Sequence, residues 1–153
     1  MALCEAAAYY KTQGKTLWDA MIEMYEQFGY YKDAIQSVTM KGIEGLQKIQ
    51  EIMNSLRQNP PAEFAGHKVV AVRDYKADTI KDLATGEVKA TGLPNSNVLY
   101  YELTDDAWVC VRPSGTEPKV KFYYGVKGTS LADADKKSEI MGKAVLDMVD
   151  SMK

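Results

Sequence analysis

Between Val98 and Val126 the sequence offers three β-prone segments with little chain to spare between them. Val98 to Leu103 is followed by the turn triplet Thr104-Asp105-Asp106, Ala107 to Arg112 returns, and Lys119 to Val126 runs Lys, Val, Lys, Phe, Tyr, Tyr. A parallel pairing needs a crossover of about a dozen residues or more, so such short links leave only antiparallel neighbours. This stretch constrains the fold more than any other.

What flanks it is mostly helical. Leu3, Ala6, Ala7 and Tyr10 recur at helical spacing as far as Gln13-Gly14. Thr16 with Asp19 is an acidic form of the capping box, and Leu17, Met21, Met24 and Phe28 form the stripe of a second helix that Gly29 stops. Ala34 to Met40 is a brief β-prone stretch. From Ile43 a helical face of Leu46, Ile49, Met53 and Leu56 leads to the breaker Asn59-Pro60-Pro61. His67 to Tyr75 reads as a strand, and the polar segment Lys76 to Asn97 as a connection with a small hairpin around Thr85-Gly86. Ser130 with Asp133 opens the last helix, whose row Ile140, Ala144, Met148 lies beside Met141, Val145, Val149. Strands adjacent in sequence with helices at both ends predict an α+β fold. It is an antiparallel sheet of about four strands with helices on one face, preceded by a short helical segment.

Composition narrows the function. A chain of 153 residues is one domain with room for an appendage. The 19 basic and 21 acidic residues give a net charge of −2, which argues against a nucleic-acid partner. No run approaches the ~20 apolar residues of a membrane span. The N-terminus has no secretory pattern, and two distant cysteines, Cys4 and Cys110, read as free thiols in a reducing, cytoplasmic setting.

The loop Arg112-Pro113-Ser114-Gly115-Thr116-Glu117-Pro118-Lys119 carries the chemistry. Its prolines fix φ at both ends, and Pro118 pushes Glu117 toward extended backbone. Ser114, Gly115 and Thr116 are left as a tight turn whose N–H groups can converge on an anion, with Gly115 permitting positive φ and close approach. The hydroxyls of Ser114 and Thr116 add donors, Arg112 supplies a planar fork, and Lys119 a second charge. The array suits a phosphate dianion. Chemistry alone weighs this evenly against an ordinary β-turn beside a solvated arginine.

Other conspicuous residues have plainer readings. His67, the only histidine, reads as an exposed strand-start residue, with no partner cluster for a metal. Asp105-Asp106 is a turn, and Asp133 and Asp135 belong to a helix N-terminus. Tyr100, Tyr101, Tyr123 and Tyr124 read as aromatics paired across antiparallel strands, and Cys110 as a small buried hydrophobe.

The loop resembles the phosphate-binding loop of the C-terminal domain of the α-D-phosphohexomutases, the phosphoglucomutases and phosphomannomutases. Leu93-Pro94-Asn95-Ser96-Asn97-Val98-Leu99, Trp108-Val109 and Lys121-Phe122-Tyr123 are similar to the phosphoglucomutase branch. Tyr9-Tyr10, Gly14-Lys15-Thr16-Leu17 and Tyr25 to Tyr31 resemble the final helices of that family's third domain. The resemblance implies a four-domain isomerase that moves a phosphoryl group between O1 and O6 of a hexose phosphate. A phosphoserine on the first domain, a Mg²⁺ held by the second and a sugar loop on the third do the chemistry. The fourth, a sheet like that of the TATA-box-binding protein, holds the phosphate that does not react.

This sequence has no Ser-His-Asn-Pro-like, Asp-Gly-Asp or Gly-Glu-x-Ser-Gly run. The resemblance therefore implies a fragment, inactive alone and binding no cofactor itself. Residues 1–33 would be the terminal helices of the third domain plus a hinge near Tyr31 to Ala34, and residues 34–153 the phosphate-binding domain. Arg112, Ser114, Gly115, Thr116 and, less centrally, Lys119 would hold the substrate phosphate. Glucose or mannose phosphate and the other domains would be its partners. The apolar faces of residues 1–33, lacking their own domain, would pair two copies as a weak homodimer. The competing expectation is a non-catalytic binding or interaction module in which the loop is only a structural turn.

Overall fold

The computed structural model describes residues 1–40 and 42–152, without the side chain of Ile43, so the expected start of that helical face lies outside the described residues. Two helices, α1 (Ala2–Thr12) and α2 (Leu17–Phe28), lead into strand β1 (Tyr30–Thr39) and helix α3 (Gly42–Gln58). Seven strands follow: β2 (Glu63–Phe64), β3 (His67–Asp74), β4 (Thr79–Asp82), β5 (Val88–Lys89), β6 (Leu99–Leu103), β7 (Trp108–Pro113) and β8 (Lys119–Gly128). Helix α4 (Leu131–Ser151) closes the chain.

The strands form one antiparallel sheet in the order β1-β8-β7-β6-β3-β4-β5, with β2 beside β3. It has eight strands rather than about four. Five of them, β1, β3, β6, β7 and β8, are the stretches expected as strands; the others are the β4–β5 hairpin, where Gly86 takes positive φ, and the two-residue β2. The Asp82 carboxylate fixes that hairpin turn by accepting from the amides of Ala84 and Thr85 and from the Thr85 hydroxyl.

One face of the sheet is dry. Leu99, Tyr101, Val109, Val111, Val120, Phe122 and Val126 point into it and are at most 1% exposed. They meet Ile49, Ile52, Met53 and Leu56 of α3, and Met141, Val145 and Val149 of α4. Both long helices therefore lie on the same side, as α+β patterning predicts. Two phases differ from expectation. Leu46 is exposed, and Gly45 faces inward with Ile49, Ile52, Met53 and Leu56. Ile140 is exposed, and its row gives way to Ala134, Ser138, Met141 and Val145. In α4 the reason is close approach: a Cβ on the buried Gly142 would collide with the Tyr124 hydroxyl.

Strand β1 starts at Tyr30 rather than Ala34. Gly29 ends α2 at φ 111°, and the Tyr30 ring stacks on Tyr25 with centroids 5.8 Å apart. The β-favouring Tyr30-Tyr31 pair then enters the ladder at once, Tyr30 opposite Gly128 and Ala34 opposite Tyr124. Tyr31 to Ala34, expected as a hinge, are continuous strand here. Helix α2 does carry its capping box, with the Thr16 hydroxyl accepting from the Asp19 amide and the Asp19 carboxylate accepting from Thr16. Neither α1 nor α2 buries any residue; Leu3, Tyr9, Trp18, Met24 and Phe28 are all exposed.

Tyr100 does stack on an aromatic of the neighbouring antiparallel strand, Trp108, but the four tyrosines are not partners of one another, because β7 lies between β6 and β8. Val109 separates Tyr101 from Tyr124 on the dry face, and Cys110 separates Tyr100 from Tyr123 on the other. Tyr101 packs on Phe64, and its hydroxyl donates to the Leu56 carbonyl at 3.1 Å. That carbonyl is in the last turn of α3, where no helical partner exists. Burial also pushes the Tyr101 phenol well above its usual range. Tyr101→Phe leaves the carbonyl buried without a donor, and is expected to cost about 1–3 kcal/mol in urea unfolding. An unchanged midpoint would show that the bond contributes nothing.

His67 is half-buried rather than exposed, its Nδ1 3.1 Å from the Asp105 carboxylate. Asp105 and Asp106 have φ of 61° and 56°, the left-handed pair of a tight β-hairpin turn.

Candidate functional site

The face of the sheet away from α3 and α4 carries three registered rows. Period two along each strand puts Trp108, Cys110 and Arg112 of β7 on this face with Lys121, Tyr123 and Gly125 of β8. Nearest the 113–118 loop, Ser37, Lys121 and Arg112 lie side by side. Behind them run Ile35, Tyr123, Cys110 and Tyr100, and behind those Asp33, Gly125, Trp108 and Glu102. In the last two rows the Trp108 ring stacks on Tyr100 at 5.6 Å and covers the space beside Gly125.

The loop is pinned from within and from the side. The Ser114 amide donates to the Lys119 carbonyl at 2.7 Å, the Lys119 amide to the Glu117 carbonyl at 2.7 Å, and the Glu117 amide to the Ser114 hydroxyl at 3.4 Å. The Met40 amide donates to the Pro118 carbonyl at 2.8 Å, tying the loop to the end of β1. The Ser114 amide is therefore spent on the turn, contrary to the expected convergence of all three. Gly115 and Thr116 remain, with no internal bond recorded for their amides.

Gly115 does not adopt positive φ, and nothing lies within 4 Å of where its Cβ would stand. The loop's own geometry thus does not demand glycine there. Space for a ligand to approach the backbone is what glycine leaves.

Above the loop lies a pocket of about 360 Å³ lined by residues 112–116 with Lys121 and Tyr123. Four expected residues, Arg112, Ser114, Gly115 and Thr116, come together there. Lys119 does not line it: its Nζ pairs with the Glu117 carboxylate at 3.0 Å. The loop's one acidic side chain is so drawn to Lys119, and among the described residues no carboxylate pairs with Arg112 or Lys121. An exposed guanidinium and an ammonium on facing strands, both unpaired, leave the pocket positive.

Lys121 and Tyr123 also line the pocket, though they lie outside the loop motif. The signal was a count: with Pro113 opposite Val120, Arg112 must oppose Lys121. Cys110, beneath Arg112, is half-buried rather than fully so; burial pushes its thiol up while the Arg112 charge opposes.

Among the described residues no three of His, Cys, Asp and Glu stand close enough to share a metal ion. No helix is long and apolar enough to cross a membrane.

Comparison with known proteins places the fold and the loop in one context. Residues 52–142 match a family described as phosphoglucomutase/phosphomannomutase, C-terminal domain. The chain is 38% identical over 135 residues to phosphoglucomutase of Staphylococcus aureus (strain bovine RF122 / ET3-1), covering 88% of this chain and 24% of that protein. The phosphoglucomutase of strain N315 is 37% identical over the same length. The chain thus spans about a quarter of the curated relatives it matches. Among solved structures, the open form of the Paramecium phosphoglucomutase parafusin covers 94% of this chain with a TM-score of 0.50 and 15% identity, a likeness of fold. The chain belongs to the phosphoglucomutase/phosphomannomutase C-terminal domain family.

Proposed function

We propose that this domain binds the non-reacting phosphate of a hexose phosphate while the parent isomerase moves a phosphoryl group between O1 and O6. Arg112 takes two phosphate oxygens with its planar fork, the Gly115 and Thr116 amides with the two hydroxyls supply further donors, and Lys121 adds charge. The observation that carries this reading is the unpaired Arg112 guanidinium at a pocket whose only loop carboxylate is held by Lys119. Binding energy from a phosphate that does not react fixes the sugar where the chemistry occurs elsewhere in the parent.

Residues 1–33 belong on this reading to the preceding domain, and nucleophile and Mg²⁺ to other parts of the enzyme. The chain alone is expected to show no mutase turnover in a coupled assay at any magnesium concentration; turnover above buffer would overturn the fragment reading.

The reading is tested by titrating the chain with glucose 6-phosphate and following amide resonances. Gly115 and Thr116 should shift with a Kd in the millimolar range, corresponding to about 4 kcal/mol. Shifts confined to other residues would count against it. A second reading, a purely structural turn, is favoured by the bonds from Ser114 to Lys119 and from Glu117 to Ser114. Those bonds account for the loop's shape. They leave Arg112 and Lys121 without a purpose.

A further inference from the structure

We infer that Tyr123 is a specificity-determining residue of this pocket, its ring receiving the carbon skeleton next to the bound phosphate, so that the site prefers a phosphate ester to inorganic phosphate. The inference rests on the phosphate reading above and adds to it a partner for the rest of the ligand.

Two adjacent rows carry the argument. The row at the loop is cationic, with Arg112 opposite Lys121. The row behind it is apolar, with Tyr123 between Cys110 and the exposed Ile35. Residues two apart on a strand stand about 7 Å from each other, so one small molecule spans both rows. Tyr123 itself lines the pocket with Arg112 and Lys121.

Among the described residues no other group claims the ring. Unlike Tyr100, which stacks on Trp108, and Tyr101, which packs on Phe64, Tyr123 has no recorded ring partner or hydroxyl hydrogen bond among the described residues. It is half-exposed on the open face, while its neighbours Phe122 and Tyr124 are buried in the core. An anion held at the first row leaves its ester carbon directed along the strands or out to solvent. Along the strands, the first surface it meets is the Tyr123 ring, whose apolar face gains by covering C–H groups. Inorganic phosphate has no such group and gains nothing there.

The test compares two ligands on the full chain, inorganic phosphate and glucose 6-phosphate. It is run at about pH 8, where the ester is a dianion, with both followed at the Gly115 and Thr116 amides. The readout is the ratio of their affinities. The ratio should favour the ester in the native chain, fall roughly three- to tenfold in Tyr123→Ala, and survive in Tyr123→Phe, which keeps the ring. A ratio unchanged in Tyr123→Ala overturns the inference while leaving the phosphate reading intact. A loss in Tyr123→Phe equal to that in Tyr123→Ala overturns it too, by assigning the effect to the hydroxyl. If neither ligand shifts either amide in the native chain, the phosphate reading itself fails and the inference falls with it.

Discussion

In a full-length phosphoglucomutase carrying this domain, Arg112→Ala is expected to lower kcat/KM about ten- to a hundredfold. The side chain is exposed on the open face of β7, opposite the dry face, so its removal leaves the packing under Val109 and Val111 untouched. On the proposed phosphate reading, what is lost is a charge-assisted, bidentate contact of about 1.5–3 kcal/mol. That energy converts to the stated range of rates. Lys121 stays in place, so some attraction for the anion survives, and Arg112→Lys should recover part of the loss without restoring the fork. Steady-state kinetics beside thermal unfolding of the same variant separate the two effects. Full activity with normal KM would make the loop a spectator.

The second large effect is on stability. Phe122→Ala should cost about 3–5 kcal/mol, measured by urea unfolding of the chain. Phe122 has no exposed surface, and its strand is flanked on both sides, with Gln36 of β1 and Val111 of β7 in register. A cavity at that point cannot close without moving β7 or β8, the two strands that hold Arg112 and Lys121 opposite each other. Against a total stability of about 5–15 kcal/mol for an ordinary domain, the loss is large, and anion binding should weaken with it. A loss below about 1 kcal/mol would mean that the ring is not packed as described.

These effects trace back unevenly to the sequence. The run from Val98 to Val126 was legible because short connections allow one pairing only, and the Thr85-Gly86 hairpin because its turn chemistry is local. Helix phase was less so. Leu46 and Ile140 satisfy an apolar stripe, yet Tyr124 of the sheet beneath α4 selects Gly142, and the Met40 backbone ahead of α3 selects Gly45, since each close approach rewards the absence of a side chain. Tyr30 to Asp33 followed a helix ending in glycine and read as connection; pairing with β8, distant in sequence, made them strand.

The site shows the same division. Residue types in the loop suit an anion as well as a plain turn, and Arg112, Ser114, Gly115 and Thr116 share a pocket. The fate of each donor was not legible, because the Ser114 amide and the Lys119 ammonium are taken by partners that only the folded turn presents. Lys121 and Tyr123 enter through register, a property of two strands together rather than of either alone.

A crystal structure of the chain soaked with glucose 6-phosphate is expected to show the phosphate above the loop, with oxygens about 2.7–3.2 Å from the Arg112 guanidinium and from the Gly115 and Thr116 amides, and Lys119 still on Glu117. A structure in which Arg112 turns to Glu117 and the sugar phosphate binds elsewhere on the domain would contradict the proposed phosphate reading.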